Sequence, residues 1–453
     1  MSELLQVQRV LIANRGEIAR RLIREFKSLG IETVSVFSEP DQGQPWVEEA
    51  DYSAYLNGRT VAETYLDANR VIGVAMDAGC DAVHPGYCFL AGRLDFAELA
   101  NQANMAIIGS DPRALARVVD RQSVRRVARE LGIPLIPASD PISAEQDPVG
   151  IGAQLGFPLF VKTMVGDVIR RVDSLDRLAA VANEVRALGA LVSGDSTIVL
   201  ERAVDKLRAC GTVVVADRYG SIVHLGETDG SLQYDFHSWV EEVGEALVGS
   251  TLHARLGERS VELARGLGWI GVGKVRWAIT PDGGAYLLGF TPRLTTGYEL
   301  AEQVHGIDLI NTQFRVHIGE RLGWEQADVK LERHGVQLRI FPFRAGATGA
   351  VEGEIERLVL PTGEHLAVEA GTAEGQPCTE DTDPLLVKIT VTGPTRHAAL
   401  VRARAALEEL VIEGVETNRE FLLEILAEPS VWRGQYNTHT LEEWIASERN
   451  RAS

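Results

Sequence analysis

Over the first hundred positions, short apolar runs alternate with longer stretches whose apolar residues recur at helical spacing. Residues 9 to 13 (RVLIA) form such a run ending at Asn14, and Gly16 opens GEIARRLIREFKSLG, where Ile18, Leu22, Ile23 and Phe26 share one helical face. TVSVFSE at 33 to 39 supplies a second strand, a helix is expected over about 63 to 79, DAVHPG begins at 81, and AIIGS from 106 continues the alternation. Strands alternating with helices predict an α/β domain with a parallel sheet.

From 113 the pattern becomes one long helix, RALARVVDRQSVRRVARELG, stopped by Gly132 ahead of Pro134. PLFVKT at 158 to 163 and STIVLERAV at 196 to 204 read as strands flanking the helical DSLDRLAAVANEVRALG, a small α+β domain. GTVVVAD, SIVHLGE, GKVRWAIT and AYLLGF then alternate as a mainly antiparallel sheet. Beyond 330, VQLRIF, LVLP and LLVKITVTG are strands, and RHAALVRARAALEELVIEG and NREFLLEILA are amphipathic helices. The expected division is 1–113, a helical linker 114–133, a lid 134–202, a body 203–330, a C-terminal domain 331–447 and a tail 448–453.

Composition narrows the function classes. A chain of 453 residues with 45% hydrophobic content buries several cores, and its formal charge of −19 opposes sequence-independent binding to nucleic acid or anionic membranes. Cys80, Cys88, Cys210 and Cys378 form no CxxC pair, so neither a disulfide framework nor a zinc signature is expected, which fits a reducing cytoplasm. The N-terminus has no signal-peptide pattern and no stretch reaches the ~20 apolar residues of a membrane span, so a soluble, unprocessed protein is expected.

IANRGEIARR at 12 to 21, HPGYCFL at 84 to 90, GIDLI at 306 to 310 and LEELVIEGVETNREFL at 407 to 422 together resemble biotin carboxylase nearly end to end. The resemblance implies an ATP-grasp architecture with an N-terminal parallel α/β domain, a small lid and a C-terminal, mainly antiparallel body. It also implies a reaction in which ATP and bicarbonate give carboxyphosphate and the carboxyl group passes to biotin on a carrier domain. That chemistry needs metal ions and fixed cations to neutralise charge, plus a base for bicarbonate. By resemblance, Lys162, Glu201 and Arg121 are the candidate ATP contacts, Gln233 and Arg293 lie near bicarbonate, and Arg339 lies near the biotin ureido oxygen.

Other family positions are replaced. The glycine-rich flap becomes TMVGDVIRRV, with the single glycine Gly166, and an ordinary β-hairpin is expected there. The two metal-ligand carboxylates fall at Arg276 and Gly289 and the accompanying asparagine at Thr291. Magnesium, which prefers carboxylate oxygens, is therefore not expected. The base-bearing run becomes Arg293, Leu294, Thr295, Thr296 and Gly297; a histidine and a glutamate become Ala209 and Gly211; and the family's His-x-Lys becomes Phe236 and Ser238.

These replacements predict a catalytically degenerate subunit acting as structural or regulatory partner in a biotin-dependent acyl-CoA carboxylase of fatty acid biosynthesis. It would be a homodimer, or a heterodimer with an active paralogue, meeting a biotin carrier protein and a carboxyltransferase, with no biotin attached to this chain. The alternatives are an active biotin carboxylase and a non-catalytic nucleotide or anion sensor in which Arg276 stands in for the metal.

Overall fold

The computed structural model describes residues 4–118, 120–164, 168–193, 195–244, 249–331, 333–345 and 350–452. The chain divides into two compact units, one comprising Met1–Val119, Arg208–Arg276 and Phe290–Ser453, the other Asp120–Leu207 and Trp277–Gly289.

In the larger unit, the N-terminal strands form a five-stranded parallel sheet in the order Tyr52–Tyr55, Glu32–Phe37, Arg9–Ile12, Ala82–His84, Ala106–Ile107. Successive side chains of a strand point to opposite faces, and here both faces are covered. Val10 and Ile12 pack with Ile18, Leu22 and Phe26 of helix Gly16–Ser28, whereas Leu11 joins Val71, Ile72 and Phe96 on the other side. Gly16 has φ +67, and a Cβ there would lie 2.1 Å from the Asp383 carboxylate, so glycine is required where that side chain seats at the start of the helix.

The second sheet of this unit includes, in order, Arg208–Ala216, Ile222–Tyr234, His237–Val243, His334–Ile340, Val387–Gly393 and Leu366–Ala370. The pairings from Arg208–Ala216 through Leu366–Ala370 are antiparallel, as expected from the sequence. Helix Arg396–Glu409 packs its alanine and leucine face on Val336, Leu338, Ile389 and Val391.

In the smaller unit, strands Ile169–Val172, Leu159–Thr163 and Ile198–Arg202 make an antiparallel sheet in that order, and helix Leu175–Ser193 closes its core with Leu178, Ala182 and Val185. The first two of these strands form the hairpin expected from the sequence, with Lys162 opposite Ile169. Gly166 lies outside the described residues.

Three expectations change. The helix read from 113 to 132 is two helices, Pro112–Val118 and Arg121–Glu130. Asp120 starts the second by accepting hydrogen bonds from the backbone N–H of Gln122 and Ser123, a local competition that the apolar spacing does not reveal. The helix read through 414 ends at Glu409, because Val411–Glu413 pairs as a strand with Arg357–Val359. The helix placed over 63 to 79 is shorter, Ala68–Asp77, and begins at an Asp67 cap.

Candidate functional site

In the larger unit, Arg339 is bonded to a carboxylate that the sequence did not single out. Glu241, on strand His237–Val243, is only 4% exposed. Lys274, from strand Gly271–Ile279, donates from Nζ to its Oε1 at 2.6 Å, and Arg339, from strand His334–Ile340, donates to its Oε2. The other Arg339 donors are also engaged: Nε and Nη2 bond the Gln337 Oε1 at 3.2 and 3.1 Å, and Nη1 bonds the Ser238 carbonyl at 3.2 Å. Burial raises the Glu241 carboxyl, but Lys274 and Arg339 together outweigh it and hold the group well below the ordinary carboxylate range.

Two of the replaced positions abut this cluster. A Cβ on Gly211 would lie 2.1 Å from Lys274 Cε, and a Cβ on Gly297 would lie 2.6 to 2.8 Å from the Glu241 carboxyl atoms. Lys274 thus crosses one bare glycine and Glu241 faces the other. Nearby, the Ala209 N–H donates to Ser231 Oγ at 2.9 Å, and Ser238 Oγ donates to the Gly230 carbonyl at 2.9 Å.

Gln233 is half-buried opposite Ser238 across the hairpin. Arg293 is half-buried and donates to the carbonyl of its own neighbour Leu294 at 3.0 Å, not to Gln233 or Arg339. Arg276 is exposed, and Thr291 is half-buried at the end of its strand. Phe236 is 64% exposed at a two-residue turn in which Asp235 and Phe236 have φ +47 and +62, the setting of a type I′ hairpin. His237, exposed beside it, turns Nδ1 to the Asp235 carbonyl at 2.8 Å.

The smaller unit joins two of the expected nucleotide contacts directly to each other. Lys162 Nζ donates to Glu201 Oε1, and Arg125 stands 3.8 Å from Glu201 Oε2. Glu201 is 8% exposed on strand Ile198–Arg202. Arg121 is half-buried at the first position of its helix. Gly289 has φ +156, a backbone setting that side-chain-bearing residues seldom adopt.

A second ionic cluster in the larger unit also escaped the sequence. Lys388 is fully buried, with Nζ 2.8 Å from Glu17 and 3.7 Å from Glu299, and it sits 4.2 Å from the centre of the Tyr298 ring. Tyr87 and Tyr298 hydroxyls donate to Glu17, and Thr390 Oγ1 donates to Glu299 at 3.0 Å. Burial raises the Glu299 carboxyl to about 7; Lys388 opposes this, while Glu369 and Glu17 add to it. The available signals were a lysine inside the apolar run LLVKITVTG for this cluster and, for the Glu241 cluster, adjacent acids inside WVEEV.

Among the described residues, no helix is long and apolar enough to cross a membrane. Comparisons with known proteins cover almost the whole chain. Residues 6–115 match the biotin carboxylase N-terminal domain, 120–325 the carbamoyl-phosphate synthase L chain ATP binding domain, and 346–443 the biotin carboxylase C-terminal domain. A biotin carboxylase of Halalkalibacterium halodurans is 32% identical over 437 residues, covering 95% of this chain and 96% of the relative. The 2-oxoglutarate carboxylase small subunit of Hydrogenobacter thermophilus is 31% identical over 447 residues, covering 96% and 93%. Among solved structures, the biotin carboxylase domain dimer of the Hydrogenobacter thermophilus 2-oxoglutarate carboxylase, in complex with MgADP, ADP and bicarbonate, superposes with a TM-score of 0.92 at 29% identity, covering 97% of this chain and 98% of that one. A Campylobacter jejuni biotin carboxylase in complex with an ATP compound gives 0.92 at 27%, covering 97% and 99%. The relatives also include a methylcrotonoyl-CoA carboxylase subunit and a pyruvate carboxylase subunit, so they single out no one pathway. Sequence models, identity over the full length and the ATP-grasp fold agree that the chain belongs to the biotin carboxylase family.

Proposed function

We propose that this chain is a biotin carboxylase-family subunit that does not turn over alone and serves as a structural or regulatory partner in a biotin-dependent acyl-CoA carboxylase. The observation that carries the proposal is Gly297. The position matched to the family's base bears no side chain, and the carboxylate against it, Glu241, is held ionised by Lys274 and Arg339. A carboxylate so far below neutrality is a poor acceptor of the bicarbonate proton. Arg276 and Gly289 at the metal-ligand positions act in the same direction, since a fixed cation repels a divalent ion. Loss of acid–base and electrostatic contributions worth roughly 10²-fold or more each leaves little turnover.

A second reading is an active biotin carboxylase. The comparisons by themselves favour it, because relatives named biotin carboxylase align over almost the full length; in the sequence reading, Lys162, Glu201, Gln233, Arg293 and Arg339 keep the family's residue types or charges. The two readings separate in one assay of purified protein with ATP, magnesium, bicarbonate and free biotin. Non-turnover predicts no biotin-dependent phosphate release, whereas release at a rate typical of an active carboxylase establishes the second reading. Calorimetric binding of ATP without cleavage would assign the chain a nucleotide-sensing role.

A further inference from the structure

We propose that Lys274 is an internal plug: its side chain and the Glu241 carboxylate fill from within the space left by Gly211 and Gly297, closing this part of the sheet to small carboxylate- or bicarbonate-sized anions.

Backbone conformation does not explain the two glycines. Gly297 has φ −78, open to any L residue, and Gly211 is not among the positive-φ glycines. What excludes a side chain is the neighbour. Lys274 Cε, Cδ and Cγ stand 2.1, 3.0 and 3.1 Å from a Cβ on Gly211, so the whole stem lies along that backbone. The ammonium at its end meets Glu241 Oε1 at 2.6 Å, and the same carboxyl group stands within 2.8 Å of a Cβ on Gly297. The four positions are therefore interdependent: a glutamate at 211 displaces Lys274, and one at 297 displaces Glu241.

The charges close the site as well as the volumes do. Arg339 would offer donors to an incoming carboxylate, but Glu241, Gln337 and the Ser238 carbonyl already take them. Glu241 plays the part of the anion that a ligand would otherwise supply. An external carboxylate must displace a tethered one whose effective concentration is far higher. The inference deepens the non-turnover reading, from which it takes only that positions 211 and 297 need no glutamate.

The test is a double-mutant cycle read as Tm. Gly211→Ala should lower the Tm of the otherwise native chain, whereas in a Lys274→Ala background it should leave Tm unchanged or raise it, because the added methyl occupies vacated space. In a Lys274→Met background, which keeps the stem without its charge, the penalty of Gly211→Ala should persist. Ethylammonium chloride should raise the Tm of Lys274→Ala but not of the native chain, and sodium acetate should do the same for Glu241→Ala. An equal Tm loss for Gly211→Ala in the native, Met and Ala backgrounds overturns the plug, as does acetate binding to the native chain as tight as to Glu241→Ala. Biotin-dependent ATP cleavage by the native chain would instead overturn the non-turnover reading while leaving these couplings as predicted.

Discussion

Two buried ionic clusters in the larger unit differ in which charge is in excess. At Glu241, two cations hold one carboxylate; at Lys388, two carboxylates face one ammonium. Both are desolvated, and burial pushes the Glu241 and Glu299 carboxyls towards their neutral forms. At Glu241 the paired cations win and the proton stays off. At Lys388 the single ammonium stands closer to Glu17 than to Glu299, and Glu299 is raised to about 7. Stoichiometry of charge, more than depth, decides the protonation state. The pH signs are opposite: the Glu241 contribution is present above its unfolded value and lost in acid, whereas Glu299 favours the folded state less as pH rises from its unfolded value through about 7.

The largest expected effect comes from removing the lone cation. Lys388→Met leaves Glu17 and Glu299 with no positive partner among the described residues, and breaking a buried pair from one side costs about 3–5 kcal/mol. The urea midpoint of this variant at pH 7.5 should fall well below that of the native chain, and about pH 5 should recover part of the loss by protonating the stranded carboxylates. A variant equally destabilised at both pH values would break the comparison, because its cost would then be packing alone.

A smaller effect isolates the proton at Glu299. Between an unfolded pKa of about 4.5 and the folded value of about 7, the unfolded chain loses this proton first, so stability declines as pH rises through that window. Glu302, raised to about 8 by burial and by Asp308 against the opposition of Arg21, extends the decline. Buried His84 and His317 and half-buried His224 and His305, all lowered, act in the opposite sense below about pH 6.5, so the native curve mixes both. The difference between Glu299→Gln and the native chain removes that background: the variant should gain in relative Tm from pH 5 to pH 8, by differential scanning calorimetry. A flat difference would mean that Glu299 is ionised throughout.

The two clusters also mark where the sequence stopped being informative. Helix Gly16–Ser28 was legible because its periodicity reflects burial directly, and GTVVVAD because its apolar run is buried throughout. The break at Asp120 was not, since a cap is one side chain against a continuous apolar spacing. The resemblance singled out Arg339, Lys162 and Glu201 as candidates, but not the side chains they bond. Glu241, Lys274 and Arg339 come from three strands, and Glu17, Glu299 and Lys388 lie up to 371 positions apart, so only the fold brings them together. The bare glycines at 211 and 297 could be read as losses; that neighbouring side chains lie against them could not.

The smallest effect is expected in the smaller unit, where charge is again in cationic excess. Glu201 has Lys162 on one oxygen and Arg125 3.8 Å from the other, so removing the lysine leaves a cation in place. Lys162 keeps 17% of its side chain exposed, and solvent screens what the pair contributes. Lys162→Met should therefore cost about 1 kcal/mol or less in urea unfolding, far below Lys388→Met. Adding Arg125→Met to Lys162→Met should cost more than the sum of the two single changes, because only the double variant removes both of these cations from Glu201. Additive costs would mean that Arg125 does not compensate at 3.8 Å, and that cationic excess protects a carboxylate only where both partners touch it, as they do at Glu241.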